Sequence, residues 1–252
     1  DYQTKAIAHA IRNKRCLLLS PTASGKSLII YVLSRFYPAR KLIIVPTTAL
    51  VHQMASDFKD YGYKQQVHKI TAGASKQTDA EVVVTTWQSI YKMQKKWFSQ
   101  FKVVIGDEAH LFKAKSLVNI MTKLTVCPWR FGFTGTLDGS LTHKLVLEGL
   151  FGPVEKVTTT SELIKEKYLS EFKINIITLK YNEQSCKLLK RANYQTEIDY
   201  IVRNDARNKF ICNLCESLDG NTLTLFNYVD KHGKVLYNML QDVKDKPVFF
   251  VH

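Results

Sequence analysis

Long hydrophobic runs are missing from this 252-residue chain: no stretch of about 18 apolar residues occurs, which excludes a membrane-spanning helix. The opening segment DYQTKAIAHAIRNK also lacks the apolar centre of a signal peptide, so a soluble, non-exported, cytoplasmic protein without a membrane partner is expected. Cysteine is scarce and odd in number. Cys16, Cys127, Cys186, Cys212 and Cys215 follow no secreted-domain pattern, which points to free thiols in a reducing compartment. Cys212 and Cys215 make the one CxxC. Zinc needs two more ligands, and NKFICNLCESL reads as a helix in which positions three apart share a buried face. Acidic residues are few: 22 Asp and Glu against 36 Lys and Arg leave a formal charge of +14. That balance repels basic partners and attracts a phosphate backbone or an anionic surface, and does not choose between them. Internal repeats and low-complexity tracts are absent as well.

What is present is the material for a core, at 45% hydrophobic residues, and a rhythm. Short β-branched runs alternate with amphipathic stretches: RCLLLS, KSLIIYVLSRFY, KLIIVP, then TTALVHQMASDFKDY. The alternation predicts an α/β fold, a parallel sheet with helices on both faces. It continues through VHKIT, EVVVTT, FKVVIGDEAH and RFGFTGT, each ending in small or polar residues. Open parallel sheets bind ligands outside their carboxyl edge, so function is expected at those ends.

The Gly-Pro break and turn-rich stretch LFGPVEKVTTTSELIKEKYLS place a boundary near Ser170, giving a first domain of residues 1–170 and a second unit of 171–252. The second unit is expected to hold strands in FKINIITLKY, NTLTLFNY and PVFFVH. Between them fall a charged helical region from about Ser185 to Leu218 and a helix near DKHGKVLYNMLQ. A start without Met and a stop within an apolar run read as a fragment whose second α/β unit is incomplete.

Ser20 to Ser27 reads S-P-T-A-S-G-K-S between a strand and a helix, the context of a phosphate-binding loop. Gly25 lets the backbone close on phosphate oxygens. The amides of Thr22, Ala23, Ser24 and Gly25 sit near a helix start, where the dipole adds attraction. Lys26 is expected to reach the β- and γ-phosphates of ATP, and the Ser27 hydroxyl to ligate Mg²⁺. Ser20 stands where the general pattern has Gly. Phe101 to His110 reads F-K-V-V-I-G-D-E-A-H, an apolar strand ending in adjacent carboxylates. Two such acids at a strand end need a cation or solvent. Asp107 is expected to hold Mg²⁺, partly through water, and Glu108 to orient and deprotonate the water that attacks the γ-phosphate. About eighty residues separate the loop from the acids, and two strand tips can converge on one nucleotide.

With these motifs in this order the chain resembles superfamily 2 helicases of the DEAH-box sort over nearly its whole length. Several implications follow from the resemblance. Tyr2 and Gln3 look like the adenine-reading element, and Ala23 stands where many such helicases have a second Gly. Pro46, Thr47 and Thr48, within VPTTALVHQ, look like the motif that grips a nucleic-acid backbone. Gly73 and Thr85-Thr86-Trp87-Gln88 resemble further strand-tracking motifs, with Trp87 open to either base stacking or core packing. Thr134 and Thr136, in Thr134-Gly135-Thr136, look like the motif coupling hydrolysis to movement, with His110 as its partner. IIVPTTAL, WFSQF, the GASK run and the spacing of LKYNEQ resemble the phage UvsW-type helicases, which remodel branched DNA with ATP.

The resemblance implies a RecA-like first domain at 1–170 and a truncated second RecA-like domain at 171–252, with ATP hydrolysed between two such domains. It implies single-stranded or branched DNA as substrate, in replication, recombination or repair, and the host cytoplasm as location for a phage protein. Arginine fingers, worth roughly 10³-fold or more in rate, are expected outside this chain, so that these residues alone would be nearly inactive. Arg203 and Arg207 read as solvated or structural, and Lys92, Lys95 and Lys96 as a solvated basic face, with a place bordering the nucleic-acid path left open. RNA as substrate, a duplex translocase of a restriction or repair system, an ATPase indifferent to nucleic acid and a passive binder with a degenerate ATP site all stay open. Polarity and oligomeric state are not legible.

Overall fold

The computed structural model describes residues 1–252 except 138, 172, 242–246 and 252. The chain divides into two compact units, Asp1–Phe172 and Lys173–His252.

The first unit begins with helix α1 (Tyr2–Asn13), strand β1 (Arg15–Leu19), α2 (Lys26–Phe36), β2 (Lys41–Val45) and α3 (Thr48–Asp60). There follow β3 (Val67–Ile70), β4 (Val82–Thr86), two single turns α4 (Trp87–Ile90) and α5 (Lys95–Phe98), and β5 (Val103–Gly106). A 3₁₀ turn (Ala109–Lys113) leads to α6 (Lys115–Lys123), β6 (Trp129–Thr134), α7 (Leu141–Phe151), β7 (Val154–Lys156) and α8 (Thr160–Lys165). The seven strands form one sheet in the order β3-β4-β2-β5-β6-β1-β7, and every pairing is parallel.

Parallel pairing follows from burial on both faces. Alternate residues of β2 go to opposite sides: Ile43 and Val45 join a core with Ile29, Leu33, Met54 and Phe58 of α2 and α3, while Leu42 and Ile44 join one with Leu117, Ile120, Met121 and Phe151 of α6 and α7. β4 splits likewise, with Val82 and Val84 on the first face and Val83 on the second. Each such buried side chain stabilises the fold by about 1.5–3 kcal/mol, so a two-faced strand needs an apolar residue at every position. Gly106 and Gly132 are small for a reason: a Cβ at Gly106 would lie 2.7 Å from Phe112 and 2.8 Å from Phe151, and one at Gly132 would lie 2.7 Å from Leu17.

The six strands and the two helices α2 and α3 expected from the rhythm are all present. β7 was not expected, because three residues leave no pattern to read. It adds to the far side of β1, where Leu17, Leu18 and Leu19 pair with Val154, Glu155 and Lys156.

The second unit holds α9 (Glu183–Leu189), α10 (Tyr194–Val202), α11 (Asp205–Ser217), a π-helical turn (Val229–Gly233) and α12 (Lys234–Leu240). Asn182, Asn193 and Asn204 cap α9, α10 and α11 through their side chains. The three expected strands are a different matter: the described residues of FKINIITLKY, NTLTLFNY and PVFFVH pair in no ladder. Their apolar side chains stay exposed, Ile176 at 88% and Leu223 at 83%. β-branched alternation forms a strand only where a neighbouring strand takes its backbone groups, and here none does among the described residues. All five cysteines are free, and Cys212 lies buried on α11. Among the described residues no cluster of His, Cys, Asp or Glu forms a metal cage, and no helix is long and apolar enough to cross a membrane.

Candidate functional site: a phosphate-type loop, an acidic pair and the sheet's carboxyl edge

Because the sheet is wholly parallel, all strand ends singled out in the sequence fall on one edge. The loop after β1 is tied closed by its own residues. Ser20 is fully buried; its amide donates to the Thr134 carbonyl at 2.8 Å and its hydroxyl lies 2.6 Å from that of Ser24. The Ser24 hydroxyl also donates to the Pro21 carbonyl at 2.6 Å. Serine in place of the usual glycine thus clamps the two ends of the loop together. Ala23 (φ 61°) and Gly25 (φ 74°) both adopt the left-handed conformation, which turns successive backbone amides to one side. A side chain at Gly25 would also collide with the Gln3 amide. Gly25 precedes α2 without a side-chain cap, so the Lys26 and Ser27 amides have no intrahelical partner.

Tyr2 and Gln3 approach this loop from α1. The Tyr2 hydroxyl and the Gln3 amide nitrogen both donate to the Ser24 carbonyl, at 3.0 and 3.1 Å. Thr22 and Ala23 are exposed at the loop tip. The Ser27 hydroxyl lies 2.9 Å from the phenol of Tyr61, at the end of α3. Nothing in the sequence marks Tyr61, whose partner is 34 residues away.

The acidic pair follows β5, with β6 lying between it and β1. Lys26 Nζ is 3.6 Å from Glu108 Oε1, which brings the tips of β1 and β5 into one site. Glu108 takes φ 48°, a left-handed conformation that costs a non-glycine residue energy and turns the chain sharply after the strand. His110 Nδ1 lies 3.3 Å from Glu108 Oε2 and 3.0 Å from the Thr134 hydroxyl, and that hydroxyl donates to the Thr136 carbonyl at 2.9 Å. One chain of contacts therefore runs from Lys26 through Glu108 and His110 to Thr134 and Thr136. His143 supports it from α7, its Nε2 3.0 Å from the His110 carbonyl, and no motif pointed to that residue. Asp107 Oδ1 is closed off from solvent without a hydrogen-bond partner. Burial pushes its carboxyl above the usual range, and the Lys26 cation pulls partly the other way.

The residues expected to meet nucleic acid occupy the other half of the edge. Pro46, Thr47 and Thr48 follow β2, and Thr47 caps α3 by accepting from the Leu50 amide at 3.3 Å. Gly73 (φ 79°) lies exposed after β3. Thr86 closes β4 at 5% exposure with its hydroxyl 3.0 Å from that of Ser89, whereas Gln88 is exposed. Trp87 is half-buried against the second core and meets Tyr91 edge-on at 6.0 Å. Pro46, Trp87 and Asp107 share one narrow crevice, so the two halves of the edge meet beside the acidic pair.

A parallel sheet of this order, with a glycine-lysine loop and an acidic pair on its carboxyl edge, defines the chain's first unit as a RecA-like helicase fold. The chain belongs to the family described as type III restriction enzyme, res subunit, whose model matches residues 1–139. It is 40% identical over 263 residues to the ATP-dependent DNA helicase uvsW of enterobacteria phage T4, covering 99% of this chain and 52% of that protein. The crystal structure of T4 UvsW superposes with a TM-score of 0.57 at 39% identity, over 97% of this chain and 50% of that one. The DNA 3'-5' translocase XPB2 of Sulfurisphaera tokodaii is 26% identical over 180 residues, 69% of this chain and 38% of that protein. The Pyrococcus furiosus Hef helicase domain shares the fold, with a TM-score of 0.57 at 18% identity over 96% of this chain and 54% of that one. The resemblance to UvsW-type superfamily 2 helicases read from the motifs therefore holds, and the chain spans about half the length of the curated relatives it matches.

Proposed function

We propose that the chain is the ATP-binding part of a nucleic-acid helicase or translocase that remodels branched DNA in replication, recombination or repair. The observation that carries the reading is the approach of Lys26 to Glu108 at 3.6 Å across the tips of two non-adjacent strands. Lys26 and the loop amides bind the β- and γ-phosphates of ATP. Tyr2 and Gln3 sit at the adenine end. Glu108 takes the proton of the attacking water, and its place beside His110 links it to Thr134 and Thr136, through which the state of the nucleotide reaches the strand-gripping loops. Those loops are Pro46-Thr47-Thr48, Gly73 and Thr86-Trp87-Gln88, where the exposed Thr47, Thr48 and Gln88 side chains suit phosphate oxygens.

The residues present suit Mg²⁺. Asp107 offers a buried carboxylate oxygen with no hydrogen bond, the kind of hard donor this ion takes alongside nucleotide phosphates, and Ser27 would add its hydroxyl on leaving Tyr61. The ion would neutralise charge developing on the phosphates. On this reading residues 173–252 open a second RecA-like domain, arginine fingers come from beyond this chain, and the protein works in the cytoplasm.

Junction unwinding by the intact protein, with Glu108→Gln beside it, tests the proposal. The variant should bind ATP as before and unwind nothing; retained unwinding would remove Glu108 from the chemistry. A second reading, translocation along duplex without strand separation, is favoured by the family's restriction-subunit description and by the translocase relative. Triplex displacement without strand displacement by the intact protein would decide for it. An ATPase rate indifferent to DNA would sink both.

A further inference from the structure

The carboxyl edge does not exhaust the chain's positive charge. From Val82 to Leu137 the only acids are Asp107 and Glu108, both turned to the Lys26 site, against seven lysines and one arginine. Lys92, Lys95 and Lys96 stand in the segment that leaves the end of β4 and returns toward β5. All three are exposed, and none makes an ion pair among the described residues. The acids nearest in sequence are Asp79 and Glu81, which precede β4, and Glu81 is held by Lys41 at 3.2 Å.

Solvated lysines alone would mean little, but here the backbone beneath them is fixed from three sides. Phe98 is fully buried in the second core. The Trp97 indole nitrogen donates to the Lys76 carbonyl at 2.9 Å, pinning the segment to the loop after β3. Lys123, from the end of α6, donates to the Tyr91 and Met93 carbonyls, each at 2.9 Å. A stretch containing only one helical turn at each end is thereby held as a platform on which Lys92, Lys95 and Lys96 point outward with Tyr91, Gln94 and Ser99.

Its chemistry is that of phosphate contact without base contact. Lysine is a point charge that reads no base edge at this distance from the strand-tracking loops. Single-strand binding relies on open aromatic faces, and those of the platform are engaged: the Lys92 ammonium lies at 5.6 Å over the ring of Tyr91, itself 39% exposed, and Trp97 packs against Phe98 and Phe101 at 4.9 and 5.0 Å. We infer that Lys92, Lys95 and Lys96, on the segment between β4 and β5, form a second nucleic-acid surface that holds the phosphate backbone of a duplex arm.

This rests on the proposed nucleic-acid function, and the test separates the two. The intact protein and a Lys92→Ala/Lys95→Ala/Lys96→Ala variant are titrated, without nucleotide, with a short blunt duplex and with oligo-dT of equal length over a range of salt. Each duplex phosphate contact contributes about 0.9 to the slope of log affinity against log salt, so the variant should lose up to about 3 from its duplex slope and little on oligo-dT. A Lys59→Ala/Lys64→Ala variant, altered at the end of α3 remote from Thr47 and Thr48, should keep both slopes. An unchanged duplex slope, or an equal loss on oligo-dT, overturns the inference while leaving the motor reading intact; failure of the unaltered protein to bind either DNA overturns both. Equal melting temperatures for variant and parent establish that the lost contacts, not misfolding, are being read.

Discussion

The two units of this chain put similar β-branched runs to different ends. In the first, KLIIV and VVVTT lie between neighbours on both sides, and their side chains divide between two cores. In the second, INIITL and TLTLF join no ladder among the described residues and leave Ile174, Ile176, Leu223 and Leu225 in solvent. The difference teaches that strand-forming residues state a demand for partners, and that burial, not the local pattern, answers it. The second unit has its helices, because asparagine caps and hydrogen bonds within a helix need no distant chain.

The contrast is most exposed to hydrogen exchange on this 252-residue chain. Amides of Leu42–Ile44 and Val83–Thr85 should open only with global unfolding and exchange at least ~10³-fold more slowly than those of Ile174–Leu179 and Leu223–Leu225. Equal protection would erase the distinction drawn here. Next in size is a change confined to the first unit. Lys26→Ala removes a charged donor and should weaken ATP binding by roughly 10–100-fold, read by calorimetry, with unit 2 helicity untouched. Undiminished binding would mean that the nucleotide does not sit on this loop.

Glycines sharpen the comparison further. Gly106→Ala forces a methyl group against Phe112 and Phe151 and should cost about 1–3 kcal/mol, seen as a lower melting temperature. Gly220→Ala in the second unit meets no atom within 4 Å, so its cost, roughly 1–2 kcal/mol, arises from φ +77° alone. A Gly106→Ser variant should be worse than Gly106→Ala, whereas Ser and Ala at 220 should match. The smallest effect is at α8, where Thr159 and Glu162 cap the helix reciprocally. Thr159→Ala should cost about 1 kcal/mol at neutral pH. Hydrogen bonds from the Thr159 amide, and from the Thr159 and Thr158 hydroxyls, hold the Glu162 carboxyl below its usual range. Its contribution is present above the unfolded pKa and is lost as pH falls through the lower folded one, so parent and variant should converge in acid.

Much of the first unit was legible because its central strands carry apolar residues to both faces and its site residues end a strand or follow one closely, as Thr134, Asp107, Glu108 and Lys26 do. The edge strand β7 was not, since Val154, Glu155 and Lys156 become a strand only by lying beside β1. Tyr61 and His143 escaped for a related reason. Their site partners are 34 and 33 residues distant, and no spacing rule joins a phenol at the end of one helix to a serine at the start of another. The missing ladders of the second unit are the same lesson from the opposite side, a pattern present without the neighbour that would satisfy it.

The carbonyl of Ser24 accepts from two side chains of α1 at once. On the proposed reading an adenine would share the Gln3 amide nitrogen, one N–H on the base and the other on that oxygen, so the base is tied through Gln3 to the loop's backbone. The loop that grasps phosphates then feels whether the far end of its ligand is occupied, and a bare triphosphate and a full nucleotide would leave it in different states of tension.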